Sequence, residues 1–333
     1  MKIAIVKLSA LGDIVHAMSV IQLIKKFDQK IKIDWIVDSG FSGILDFHPD
    51  IENIHKVNIK KANNKNSVLL LIKELLKVKN FGTYDLVIDM QGLLKSALIS
   101  RLIGSPITVG FDKFSSREGF ASIFYNKTFQ CNYSENIIKR NTALIEFALG
   151  INGASQDNKD KLSFLYSSQK YLTNYVSKIK KNIILVPGAS HKSKRYPISS
   201  LVQLTTLIDA NFLIIWGNSE EKIMAEEIKA QSPSVNICQH LNIDSLKSLI
   251  SQVDLLIGPD TGPTHMAWAL NTPSITLFGP TPGYRNACET KINRIIESNS
   301  KVNPFKIDKN DLSMKDIEVD KIVKVSKDLL NKK

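Results

Sequence analysis

The chain has 333 residues, 43 % of them hydrophobic and 23 % charged, enough for about two domains with sizeable cores. Lys plus Arg (44) outnumber Asp plus Glu (32), and the formal charge of +12 favours anionic partners: nucleic acid, a lipid surface or a phosphorylated substrate. This composition excludes a disordered or fibrous chain, and the three scattered cysteines, Cys131, Cys238 and Cys288, form neither a disulfide framework nor a thiolate metal site.

Strand-like and helix-like runs alternate along the chain. Lys2–Lys7 reads as a strand, Asp13–Lys26 as a helix, Ile31–Val37 as a strand and Ser67–Lys77 as a helix. Tyr84–Asp89, a helix over Leu93–Ile103, a short strand at Ile107–Val109 and a helix over Glu135–Leu149 follow. Ile151–Leu162 is polar and without period, and reads as an interdomain linker leading to a polar helix over Ser167–Lys180. The alternation then restarts. Strands are expected at Asn182–Val186, Phe212–Trp216, Val235–Cys238, Asp254–Ile257 and Ser274–Phe278. Helices are expected at Ile198–Ile208, Glu220–Ala230, Ile243–Ser251 and Thr264–Leu270. An amphipathic helix near Val319–Leu330 ends the chain, with Ile322, Val325 and Leu329 on one face.

Such alternation predicts an α/β fold: two doubly wound, Rossmann-like domains, residues 1–165 and 166–333, facing across a cleft, with the last helix able to pack back on the first domain. No run approaches the ~18 apolar residues of a membrane span, and Ile3–Val6 is too short for a signal-peptide core, so a cytoplasmic location is expected. Ligands of doubly wound folds bind beyond the carboxyl ends of the strands, so the loops there carry the candidate chemistry.

The first such loop, Leu8–Asp13, lacks the G-x-G-x-x-G fingerprint of dinucleotide binders. Asp13 is placed either to cap a helix or to take a proton from an acceptor hydroxyl. Gly258–His265 opens a helix, whose first N–H groups and dipole favour an anion; Asp260 or Thr261 can cap it, and Gly262 permits close approach of a phosphate. Pro187–Pro197 gathers Ser190, His191, Lys192, Ser193, Lys194 and Arg195, either a diphosphate clamp or a solvated basic turn. At Trp216–Glu221 either glutamate can cap a helix or accept from ribose hydroxyls. Lys60, Lys61 and Arg117 give the first half its own anion-binding potential, and Asp89–Ser96 ends another strand with a Gly turn. The six histidines show no H-x-x-x-H pair and there is no Asp-x-Asp, so no metal site is expected; Lys194 and helix N–H groups must then neutralise any departing diphosphate.

Together these loops resemble the ADP-heptose:lipopolysaccharide heptosyltransferases, glycosyltransferase family 9. Asp260–His265, followed by Met266 and Ala267, is similar to the D-T-G-x-x-H of the family's D-T-G-x-x-H-x-x-A signature and precedes Gly279-Pro280-Thr281. The opening KLSALGDIVHA looks like its K-x-S-x-x-G-D-x-x-H. Asp89–Ser96 and Arg117–Asn126 look like segments of the branch that adds the first heptose to Kdo on lipid A. The resemblance implies a GT-B fold, an ADP-heptose donor on the second domain, a Kdo–lipid A acceptor on the first, and no cofactor. It implies Asp13 as general base. Ser190, Lys194, Glu221, Asp260, Thr261, Gly262 and His265 would bind the donor, and Lys60, Lys61 and Arg117 the acceptor's acidic groups. Three positions depart from the pattern: Tyr196 replaces a Trp, Asn136 replaces a His, and the surroundings of Cys288 lack an expected Gly-rich loop.

The expected activity is therefore inverting heptose transfer by a monomeric enzyme docked peripherally on the cytoplasmic face of the inner membrane. Transfer of the second heptose, another nucleotide-sugar GT-B enzyme such as an epimerase, and a non-catalytic protein binding anionic lipid or nucleic acid are the alternatives. No nucleic-acid module is evident, so no nucleic-acid partner is expected.

Overall fold

A computed structural model describes residues 1–59, 68–151, 161–168 and 174–331. Lys60 and Lys61 and most of the expected linker lie outside the described residues. The chain forms two compact units, Met1–Asp157 and Asn158–Lys333.

The first unit holds six strands: β1 (Lys2–Val6), β2 (Lys32–Asp38), β3 (Ile51–Val57), β4 (Leu86–Asp89), β5 (Thr108–Phe111) and β6 (Lys127–Phe129). They pair in parallel in the order β3-β2-β1-β4-β5-β6. The interior strands are apolar because helices cover both faces of such a sheet; Ile3 to Val6 are wholly buried. The second unit holds β7 (Asn182–Leu185), β8 (Asn211–Ile214), β9 (Asn236–Ile237), β10 (Leu255–Pro259), β11 (Ser274–Phe278) and β12 (Asn293–Glu297). Its order is β12-β11-β10-β7-β8-β9, all parallel. Counted within their own units, both sheets therefore run 3-2-1-4-5-6. Each changes winding direction between its first and fourth strands, where a doubly wound sheet opens a ligand crevice. This topology selects four loops: those after β1 and β4, and those after β7 and β10.

Several expectations change in the structure. Asp13–Lys26 is two helices, Leu11–Met18 and Val20–Phe27. At the break between them the Ser19 hydroxyl donates to the His16 carbonyl (2.7 Å). The polar helix expected over Ser167–Lys180 is absent at its described residues, which are turns and irregular backbone. There the Asn182 side chain exchanges hydrogen bonds with the Ser177 backbone (2.7 and 3.0 Å). Phe164 is buried edge-on against Trp268, ring centroids 5.5 Å apart, so residues 161–165 fold with the second unit and the break falls at Asp157 rather than 165. The final helix, Val319–Asn331, buries Ile322 and Leu329 in the core of that second unit.

Candidate functional site

The loop after β10 carries the most constrained charge among the candidate residues. β10 ends at Pro259, and Thr261 caps the helix Gly262–Ala269. The Thr264 hydroxyl, three residues on, accepts the Thr261 N–H (3.3 Å) and donates to the Thr261 carbonyl (2.7 Å), which closes the helix start. Asp260, between strand and cap, is nine-tenths buried. Its Oδ1 meets Nε2 of His265 at 3.0 Å. Its Oδ2 accepts from the Lys194 ammonium at 2.8 Å and from the Thr281 hydroxyl at 3.1 Å. Burial alone would raise the Asp260 carboxyl, but the Lys194 charge and the His265 hydrogen bond outweigh it and hold the group well below the usual carboxylate range. Asp260 is thus a fixed anion that orients one ammonium and one imidazole beside a helix N-terminus, an arrangement suited to a phosphate.

Lys194 reaches Asp260 from the loop after β7, where a short 3-10 turn over Lys192–Lys194 fixes its direction. The neighbouring His191 is held below the ordinary histidine range by burial and then by repulsion from Lys309 and Lys194. Arg195 turns away, with its guanidinium bidentate on Glu220 (2.7 and 2.8 Å). Ser190 is exposed on the same loop, within reach of solvent or ligand. The next position with an aromatic, Tyr196, is buried, and its hydroxyl donates to the Ile317 carbonyl (2.7 Å). That hydrogen bond ties the loop to the chain's last quarter in place of the Trp of the family pattern.

Glu221 sits over the ends of β7 and β8. Asn218 caps the helix Ser219–Gln231 by accepting the Glu221 N–H (3.0 Å), and the Glu221 carboxylate reaches back to the Gly217 N–H (2.7 Å). A Cβ at position 188 would lie 2.3 Å from Glu221 Cδ, so only glycine leaves room for this carboxylate beside the β7 loop. Ser190, Lys194, Glu221, Asp260, Thr261, Gly262 and His265 thus all lie in the loops and first helical turns that follow the strands β7, β8 and β10. The Asp260–His265–Lys194 contact joins three of them directly.

In the first unit the loops after β1 and β4 interlock. Gln91 Oε1 accepts the N–H groups of Leu8 and Ser9 (3.2 Å each), and the buried Lys7 ammonium donates to the Met90 carbonyl (3.0 Å). The wholly buried Asp89 carries the β4 loop by accepting from Gln91 N (2.8 Å), Gly92 N (3.2 Å) and the Tyr125 hydroxyl (2.8 Å). Burial pushes its carboxyl up, against those donors. Asp13 is exposed in the first turn of the helix Leu11–Met18 and accepts the Ala10 N–H (3.2 Å). The N-cap position expected for Asp13 falls to Ala10, because the helix starts two residues earlier; Asp13 stands at the third helical position, bonds back to the cap backbone, and its carboxylate remains open to solvent. Arg117 is exposed in the segment after β5. Asn136 caps the helix Ile137–Leu149 by accepting the Ile138 N–H (3.0 Å).

Thr281, Gln91, Asp89 and Tyr125 have no individual role in the sequence analysis, although Asp89–Ser96 and Arg117–Asn126 stand there as family-like segments. Thr281 stood only as part of a Gly-Pro turn, and the other three act through partners 36 to 83 residues away that no local pattern shows.

Two Rossmann-ordered sheets with a nucleotide-type anion cradle beyond the second are the parts of a GT-B glycosyltransferase, and comparison with known proteins gives the same class. A lipopolysaccharide heptosyltransferase 1 from Campylobacter coli is 39 % identical over 348 residues, covering 99 % of both chains. The solved structure of the Escherichia coli heptosyltransferase WaaC with ADP superimposes with a TM-score of 0.79 at 23 % identity, covering 99 % of this chain and 100 % of that one. A glycosyl transferase family 9 structure from Veillonella parvula gives 0.83 at 18 % identity, covering 100 % and 98 %. The family model for glycosyltransferase family 9 (heptosyltransferase) matches residues 70–312, and the chain belongs to that family.

Proposed function

We propose that the protein transfers L-glycero-D-manno-heptose from ADP-heptose to the Kdo of Kdo–lipid A, the first heptose of the lipopolysaccharide inner core. The observation that carries this reading is the buried Asp260 anion holding Lys194 and His265 at a helix start. The full-length similarity to a heptosyltransferase 1 supports the choice of sugar and acceptor, and the likeness to a heptosyltransferase solved with ADP supports the nucleotide.

The donor's diphosphate lies against Lys194, Ser190 and the N–H groups near Thr261 and Gly262, and Glu221 accepts from the ribose hydroxyls. The Kdo hydroxyl approaches Asp13, while Arg117 and the basic pair Lys60 and Lys61 meet the acceptor's acidic groups. The hydroxyl oxygen attacks the anomeric carbon from the face opposite the diphosphate. The bond to the diphosphate oxygen breaks with its electron pair, ADP leaves, and Asp13 takes the hydroxyl proton. A single displacement of this kind inverts the anomeric centre. Positioning and charge neutralisation by Lys194 supply most of the acceleration; general base catalysis adds roughly 10²–10⁴-fold. Among the described residues no helix is long and apolar enough to cross a membrane. A lipid-linked acceptor would bring the enzyme to the cytoplasmic face of the inner membrane by peripheral contact.

The test is to incubate the purified protein with ADP-heptose and Kdo–lipid A, with and without chelator. ADP release that needs both substrates, survives chelation and yields an inverted anomer is expected. Sugar isomerised without transfer, or no turnover with salt-sensitive DNA binding, would replace this reading by an epimerase or a nucleic-acid binder.

A further inference from the structure

The segment after β5 exposes large apolar side chains in a cationic setting. Phe114, Phe120 and Ile123 are 70 %, 78 % and 73 % exposed, and Leu94 is 44 % exposed. A scattered surface Leu needs no explanation, but adjoining aromatics at this exposure do. They are held rigidly. Residues Gly119–Phe124 form a 3-10 helix, in which positions three apart eclipse. Ala121, Phe124 and Tyr125 pack down on Ala97 of the helix Leu94–Leu102. Phe120 and Ile123, also three apart, share the opposite face and point to water.

The remaining members are fixed against this helix. Glu118 Oε2 accepts the Leu94 N–H (2.8 Å), which joins Leu94 to the segment. A Cβ at Gly119 would lie 2.5 Å from the Lys113 carbonyl, so Lys113 and Phe114 are pressed against the start of the same helix. The Lys113 ammonium lies 4.8 Å from the Phe114 ring centroid. Lys95, Lys113 and Arg117 are exposed around the patch. Two carboxylates lie in the same segment, Asp112, which accepts the Phe114 and Ser115 N–H groups (3.1 and 2.8 Å), and Glu118, which caps Leu94, so the local balance stays positive by one charge. The loops after β4 and β5 share the carboxyl edge of one sheet with the β1 loop, which leads into the helix turn bearing Asp13.

We propose that this surface is a membrane wedge: Phe114, Phe120, Ile123 and Leu94 enter the interface of an anionic phospholipid bilayer while Lys95, Lys113 and Arg117 meet its headgroups. Apolar side chains within a basic rim match such a surface in both hydrophobicity and charge. The wedge rests on the proposed lipid-linked acceptor, because it would seat the Asp13 edge of the unit where a sugar on a lipid headgroup stands. It adds an apolar anchor to attraction by net charge alone.

The experiment compares the native protein with the triple variant Phe114→Ser, Phe120→Ser, Ile123→Ser in flotation with vesicles of phosphatidylcholine, with and without phosphatidylglycerol. All three side chains are exposed, so the variant should fold, and an unchanged circular-dichroism melt checks this. Native protein should partition to the anionic vesicles alone, more weakly as salt rises. The triple variant should lose at least ~30-fold of that partitioning, part of what full burial of three such side chains is worth. A polarity-sensitive dye on Phe120→Cys should shift blue on anionic vesicles. ADP release with a soluble, acyl-free Kdo acceptor should be unchanged in the triple variant, and this arm reports on the transferase reading independently of the wedge. Native-like partitioning of the triple variant would overturn the wedge. So would equal binding to neutral vesicles, or a dimer that the substitutions dissolve while vesicle binding persists.

Discussion

Lys194→Gln is the most informative single perturbation of the donor cradle. The native ammonium is mostly buried, 2.8 Å from Asp260 Oδ2, and the carboxylate also holds His265 and Thr281. The substitution removes a charge that Asp260 has aimed, while the glutamine amide can still donate to Asp260. Stripping a partner from a buried ion pair costs about 3–5 kcal/mol, and with two donors left on Asp260 the loss of stability should fall to roughly 1–3 kcal/mol. For ligand binding, a hydrogen bond to a charged group contributes about 1.5–3 kcal/mol. At 1.4 kcal/mol per factor of ten, ADP affinity should fall roughly 10- to 150-fold. Isothermal titration calorimetry with ADP measures this, with Lys192→Gln as control: it carries the same charge change on an exposed neighbour and should stay within about threefold (~0.7 kcal/mol) of native. A folded Lys194→Gln protein that also binds ADP within threefold would refute the reasoning.

Asp13→Asn should keep the melt and ADP affinity but lower kcat roughly 10²–10⁴-fold, and near-native turnover would remove Asp13 from the role of base. Tyr196→Phe leaves the buried Ile317 carbonyl without its 2.7 Å donor, costing about 1–3 kcal/mol and a few degrees, roughly 2–10 °C, in thermal melting; an unchanged Tm would contradict that role. Asp34 is wholly buried under Tyr84, Asn53, Lys2 and His55, whose hydrogen bonds outweigh burial and lower its carboxyl. Its contribution is complete above the unfolded value near 4 and is lost as pH falls through the lower folded value. Asp34→Asn should therefore be less stable by about 1–3 kcal/mol at neutral pH and lose less than native below about pH 4 in urea titrations; equal stability at both pH values would count against it.

The interior strands were legible because burial on both faces demands continuous apolar runs: Ser274–Phe278 matches residue for residue, and Asn182–Leu185 ends within one residue of the expected strand. The strands that escaped notice, β3, β6 and β12, are all sheet edges. An edge strand faces water, so Glu52, His55 and Lys56 in β3 or Arg294 and Glu297 in β12 blur the apolar signal. Asp260, Lys194 and His265 stood out as residue types in post-strand loops. Their meeting at one carboxylate did not, because Lys194 lies 66 residues from Asp260 and only the β7–β10 pairing brings their loops together. The same holds for Asp89 and Tyr125 beneath the β4 loop. Thr281 is the clearest omission, a hydroxyl whose role depends wholly on where its turn is carried.

The position of the donor's phosphates decides the role of the Asp260 cradle, and a crystal structure of the protein with ADP tests it most directly. The diphosphate is predicted within hydrogen-bonding distance of the Lys194 ammonium and of N–H groups near Thr261 and Gly262, with the ribose against Glu221. A diphosphate seated clear of Lys194 and the Gly262 helix start would contradict it.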